Sequence, residues 1–162
     1  MRLTYLRGIL FICALLFVSS GIANAQSGNK FVLGGRFGLS LLDGSAGLQI
    51  GPMGQYHLNR NMSIGSEFNI NTQGGTPIEW NGSFFYDLES SRPNMQPYLD
   101  GGMSLWFYSG GPYFGLRFGG GVNFNIAPNM DIPADIQVGP VFGGGTTVFY
   151  FALTTGIRYS MN

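Results

Sequence analysis

In the stretch MSIGSEFNIN, Met62, Ile64, Ser66, Phe68 and Ile70 fall on one parity, and Ser63, Gly65, Glu67, Asn69 and Asn71 on the other. A strand over these residues has one oily face and one wet face. The same period of two recurs in eight runs separated by short clusters of Gly, Pro, Asn and Ser. It predicts strands over 30–41, 47–58, 62–72, 77–88, 96–108, 113–126, 130–142 and 147–160. No stretch beyond residue 30 carries the spacing of an amphipathic helix. The connections LDGSA, TQGGT, SGGP and GGGT alternate with LNRN, ESSRPN and AP. All are short, which makes successive strands antiparallel neighbours in up-and-down order.

When each strand is phased by its apolar residues, one face collects large side chains. They include Phe31, Phe37, Leu48, Ile50, Phe68, Ile78, Phe84, Leu99, Met103, Phe118, Ile136, Phe151 and Ile157. The opposite face gathers Arg36, Glu67, Glu79, Asp87, Asp100, Arg117, Asp131, Asp135 and Arg158, with Gln49, Gln55, His57, Asn69, Asn81, Asn123, Asn125 and Gln137. Charge played no part in the phasing, so this segregation is independent support for the strands.

The N-terminal MRLTYLRGILFICALLFVSSGIANAQ has a basic start (Arg2, Arg7), an apolar run from Gly8 to Val18, and the small-x-small pattern Ala23-Asn24-Ala25. The run is too short for the ~20 residues of a spanning helix. Residues 1–25 are therefore expected to be a secretory signal, and 26–162 a single domain. The only cysteine, Cys13, lies in that signal, so the exported chain has no disulfide framework. Loss of Arg2 and Arg7 leaves a net charge of about −2, which excludes electrostatic nucleic-acid binding. Lys30 is the only lysine beyond the signal, an unusual composition for a water-facing surface.

Two architectures share this alternation. A soluble lipocalin-like barrel turns its apolar face inward around an apolar ligand, and an outer-membrane barrel turns it toward lipid. Three features favour the second: the lysine-poor polar face, an apolar face too bulky for an eight-strand interior, and aromatic residues at both rims. Phe31, Tyr56, Tyr86, Phe124 and Tyr159 form one belt, and Trp80, Phe107, Phe114, Phe142 and Phe149 the other. The expected fold is all-β, an eight-stranded antiparallel up-and-down transmembrane β-barrel. Pro52 and Pro140 fall within strands, where bulges are expected.

At GPMGQYHLNRNMSIGSEFNI, QPYLDGGMSLWFY and TTGIRYSMN the chain resembles the small eight-stranded outer-membrane barrels of the OmpX and OmpA transmembrane type. The resemblance implies residence in the bacterial outer membrane as a monomer. It also implies outer-membrane lipid, periplasmic chaperones and the barrel assembly machinery as partners. Substrates of that machinery end in a polar, x, Gly, x, x, hydrophobic, x, hydrophobic signal, which Thr154, Gly156, Tyr159 and Met161 match. Asn162 stands where the family usually has a terminal Phe.

His57, the only histidine, is expected near one end of the lumen with Asp87, Tyr98, Asp100, Asp131 and Arg158. Barrels of this size that resemble lipid A deacylases and acyltransferases suggest a hydrolase reading. No serine adjoins His57 as such a pair requires, and the reacting lipid would lie at the opposite rim, so a structural histidine is favoured. The inward charges, net about −3, suit either a narrow cation-preferring pore or a filled, salt-bridged interior, and eight strands favour the latter. The glycine clusters lack the lysine of a phosphate loop. No metal-ligand cluster or cofactor motif is present, and the loops at the rim away from the termini are too short for an adhesive surface.

The sequence thus supports a non-enzymatic outer-membrane barrel that contributes to envelope structure or very small-solute passage. The alternatives are a soluble periplasmic barrel and a lipid-modifying enzyme. Phe68→Arg is expected to cost about 2 to 4 kcal/mol or to block insertion. Glu67→Leu is expected to be milder, and urea titration in lipid vesicles compares the two.

Overall fold

A computed structural model describes residues 31–73, 77–108 and 110–161. The expected signal, 1–25, lies outside the described residues. The strands are β1 (Phe31–Leu42), β2 (Ser45–His57), β3 (Met62–Asn71), β4 (Ile78–Asp87), β5 (Met95–Tyr108), β6 (Gly111–Ala127), β7 (Met130–Gly143) and β8 (Thr146–Met161). Each pairs antiparallel with its sequence neighbours, and β1 pairs with β8 to close the barrel. The ends lie within about two residues of those predicted from alternation.

The largest differences are at the turns, which are tighter than the predicted loops. Leu42 pairs directly with Ser45, leaving Asp43 and Gly44 with φ of 50° and 77°. Gly144 and Gly145 repeat this between β7 and β8, at 57° and 77°. Two successive residues with positive φ make the type I′ turn, whose twist matches that of the strands it joins. The strands therefore run further into LDGSA than the apolar pattern indicated, β1 by one residue and β2 by two.

The facing follows the predicted parity. None of the residues assigned to the apolar face is buried, and Phe37, Phe68, Phe118 and Ile157 are each more than half exposed. Phe31 and Tyr56 of the rim near the termini touch at 5.0 Å between ring centroids. Trp80 stays on the outside while its Nε1 donates to Ser66 Oγ at 2.9 Å. The apolar face thus covers the outer wall. This overturns the soluble-barrel alternative, which needs those side chains inside.

The bulges expected at Pro52 and Pro140 are absent. On the β2–β3 ladder, pairing passes from Ile50↔Ile70 to Met53↔Glu67 with no slip in register. Gly115↔Val141 and Phe118↔Val138 bracket Pro140 in the same way. The missing proline N–H removes ladder contacts locally, but neighbouring pairs keep the register. The irregularity falls instead between Asn125 and Ala127, beside the β6–β7 turn.

Glycines next to these prolines let the wall curve tightly. A methyl group on Gly51 would overlap the Phe68 carbonyl oxygen, and one on Gly139 would overlap that of Leu116. Backbone atoms cannot swing aside as a flexible side chain can. Gly51→Val is expected to lose about 1 to 3 kcal/mol through forced backbone shifts, and Gly54→Val, on the roomier outer wall, less. Urea midpoints in vesicles would distinguish the two, and equal midpoints would contradict the close approach at Gly51.

Candidate functional site

Among the described residues the interior holds three arginines, each at the centre of its own polar tier. Midway along the lumen, Arg36 of β1 forms ion pairs with Glu67 of β3 and Asp135 of β7. Tyr98 Oη donates to Asp135 Oδ2 at 3.0 Å and accepts from Arg36 Nη2 at 3.3 Å, and Thr154 Oγ1 donates to Asp135 Oδ1 at 2.7 Å. These strands are not all adjacent, so the cluster bridges the bore rather than running along the wall. Its side chains are almost wholly buried.

Toward the rim that carries the termini, Arg158 Nε donates to Asp131 Oδ1 at 2.6 Å and its Nη1 to Gln55 Oε1 at 3.0 Å. Gln55 Nε2 in turn donates to Ser63 Oγ at 2.5 Å. Toward the other rim, Arg117 Nη1 donates to Glu79 Oε1 at 3.2 Å, and its guanidinium lies 5.3 Å from the centre of the Tyr150 ring. Tyr150 Oη donates to Gln49 Oε1 at 2.8 Å. Gln73, Ser40 and Asn71 continue this tier by side-chain hydrogen bonds. Asp100 makes no ion pair among the described residues, and Gln137 Nε2 donates to it at 3.1 Å.

Arg36, Glu67, Glu79, Asp100, Arg117, Asp131, Asp135 and Arg158 therefore lie buried inside the barrel, while Asp87 is half-buried at its end. Two placements differ from the expected gathering around His57. Tyr98 belongs to the central tier, and Asp100 bonds Gln137 of β7. In the β4–β5 register Asp87 pairs with Tyr98, whose long side chain reaches the central tier, and Asp100 pairs with Phe85, two strand rises further from the rim. Of the terminal octet, Thr154 and Gly156 face inward and Tyr159 and Met161 outward.

His57 stands opposite Ser63 in the β2–β3 register, a neighbour that the linear sequence did not reveal. Ser63 is fully buried, and its Oγ accepts from Gln55 Nε2. A nucleophile needs both access to substrate and a free hydrogen bond to its base. Ser63 has neither.

Sequence reasoning missed the aromatic part of the lumen. Trp106 is fully buried, packs edge-on against Tyr150 at 5.2 Å and stacks on Tyr108 at 6.4 Å. Val141 and Ala152 complete this cluster. The available signal was parity, because Trp106 and Tyr108 are in phase with Asp100 and Ser104.

A closed eight-strand barrel with an apolar outer wall and an ion-paired interior is the architecture of the small outer-membrane β-barrels. Among solved structures, Neisserial surface protein A matches with a TM-score of 0.67 at 18% identity, over 84% of this chain and 100% of that one. The N-terminal β-barrel domain of Pseudomonas aeruginosa OprF matches with a TM-score of 0.61 at 13% identity, over 82% and 100% of the two chains. The outer membrane enzyme PagL also matches, with a TM-score of 0.55 at 10% identity, over 81% and 99%. At these identities the likeness concerns the fold. No family model matches the chain, and no curated protein matches it in sequence.

The central tier revises the expectation for Glu67→Leu. Removing one member of a buried ion-pair cluster strands the others, at about 3 to 5 kcal/mol. Glu67→Leu and Arg36→Met should each fall in that range. The triple variant Arg36→Met, Glu67→Gln, Asp135→Asn should recover much of the loss, because no charge is left unpaired. Urea titration of all three in vesicles checks this, and a triple variant weaker than either single one would contradict it.

Proposed function

We propose that the protein is a non-enzymatic outer-membrane barrel that contributes to the bacterial envelope as a closed, lipid-embedded element. The observation that carries this reading is the opposition of its two surfaces. The outer wall is apolar all round, and the bore is crossed by the Arg36 cluster and stopped by Trp106 and Tyr150. A side-chain-filled interior is what an eight-strand circumference allows. Passage of very small solutes is the lesser branch of this reading, because a solute would have to part those ion pairs. A lipid-modifying role draws support from the PagL fold likeness alone, while the buried Ser63 hydroxyl speaks against a His57 nucleophile pair.

In this reading residues 1–25 direct export and are removed, and the barrel inserts as a monomer with both termini on the periplasmic side. Outer-membrane lipid contacts the apolar wall. Periplasmic chaperones and the barrel assembly machinery handle the unfolded chain, with Thr154, Gly156, Tyr159 and Met161 as the assembly signal. The two-residue turns at the far rim offer little surface for adhesion.

Envelope fractionation with and without boiling before electrophoresis tests the placement. An outer-membrane band whose mobility changes on heating is the expected result, and a soluble periplasmic band would refute it. In planar bilayers the folded protein should give no regular conductance steps. Steps that grow in Arg36→Met but are absent from the parent would support the closed bore, whereas steps already present in the parent would favour solute passage.

A further inference from the structure

The lumen opens, at the rim away from the termini, into a cup of about 430 Å³. Its wall includes Leu42, Asp43, Tyr108, Tyr113 and Val148. The Tyr108 and Tyr113 rings lie 5.3 Å apart at 67°, forming two walls of a box. Trp106 stacks on Tyr108 at 16° and, with Tyr150, seals the floor. The volume falls within the ~300 to 1,000 Å³ of ordinary small-molecule sites.

The charge around this cup is one-sided. Among the described residues of 40–47, 71–73, 77–78, 105–108, 110–114 and 141–149, around this end of the barrel, Asp43 is the only charged one. Its carboxylate makes no ion pair or side-chain hydrogen bond among the described residues, although its backbone N–H donates to Phe149 O at 3.3 Å. The nearest cation below is Arg117, which is buried and already engaged by Glu79 and the Tyr150 ring. The cup therefore offers π faces and one unopposed carboxylate, with no cation to receive an anion.

We propose that this cup binds a small organic cation, an alkylated ammonium group of the trimethylammonium kind. Such a group cannot donate hydrogen bonds, so it is held by aromatic faces and a nearby negative charge. An inorganic divalent ion would need several oxygen ligands, and no group of three or more acidic, histidine or cysteine side chains is placed to hold a metal ion among the described residues. The same ammonium chemistry could arrive as a free solute or as a lipid headgroup.

Trp106 is the reporter. The chain has two tryptophans, and Trp80→Phe, on the outer wall, leaves only Trp106, which stacks on Tyr108. That variant in phosphatidylglycerol nanodiscs should show a saturable change in emission on titration with choline chloride, relative to sodium chloride at equal ionic strength. The neutral isostere 3,3-dimethylbutanol should bind about tenfold more weakly, and Asp43→Asn should weaken choline by a similar factor. Asparagine is well tolerated at positive φ, so Asp43→Asn preserves the turn, and heat-dependent mobility confirms its folding. Tyr113→Leu should lose binding.

Phosphatidylcholine nanodiscs separate the two sources. A shifted Trp106 emission before choline is added, with weaker apparent choline binding, identifies a headgroup occupant. Identical titrations in both lipids identify a free ammonium solute. Equal binding of choline and its neutral isostere, no effect of Asp43→Asn, or no saturable response in phosphatidylglycerol would each overturn the proposal.

Discussion

Phe31 through Leu42 pair residue for residue with Met161 back through Tyr150, and this seam leaves the sheet without an edge. In hydrocarbon an unpaired backbone N–H or C=O costs several kcal/mol, with no water to compensate. An open sheet of eight strands could not survive there, however apolar its side chains. Closure then dictates the rest. Eight strands fix a narrow circumference, and a narrow circumference forces inward side chains either to vanish, as at Gly51 and Gly139, or to interlock.

Interlocking by charge rather than by oil follows from the same geometry. Slipping a strand by one residue would exchange its two faces. In an apolar environment a barrel with an apolar interior would barely distinguish the two arrangements. Arg36 between Glu67 and Asp135 makes the distinction large, because the slipped strand would put a guanidinium or a carboxylate into lipid. Buried ion pairs add uncertain net stability in water-soluble folds. Here their contribution is to specificity of facing and register, and the apolar wall supplies the gain from transfer to lipid.

How much of this was legible in the sequence depended on whether a feature was local. Alternation is local, so strand positions, facing and the burial of Arg117 or Glu79 could be read from runs of ten or so residues. Partners across the bore were not legible. Arg36 meets Asp135 across 99 positions of sequence, and that pairing depends on strand stagger, which no single strand encodes. His57 opposite Ser63 was hidden for a related reason, since register follows from the length of the turn between them. The prolines were misread because a lost donor was equated with an extra residue. A bulge needs a residue inserted, and the pairs flanking Pro52 and Pro140 leave no room for one.

The two ends of the lumen differ in chemistry, and the difference follows from where the chain spends its charges. At the rim carrying the termini, Arg60, Glu89 and Arg92 lie in longer connections, and Arg158 with Asp131 stands just inside. At the opposite rim the β1–β2 and β7–β8 turns shrink to two residues, and ring packing replaces ion pairing from Trp106 outward. Tight type I′ turns select Gly, Asn and Asp, so that rim has few positions for long charged side chains. Asp43 is there because the turn accepts it, which puts it in the lining of the tyrosine-walled cup without an ion pair among the described residues. A carboxylate on the wall of an aromatic cup is thus a consequence of turn geometry, and it makes one end of a closed barrel electrostatically suited to cations while the other is already compensated.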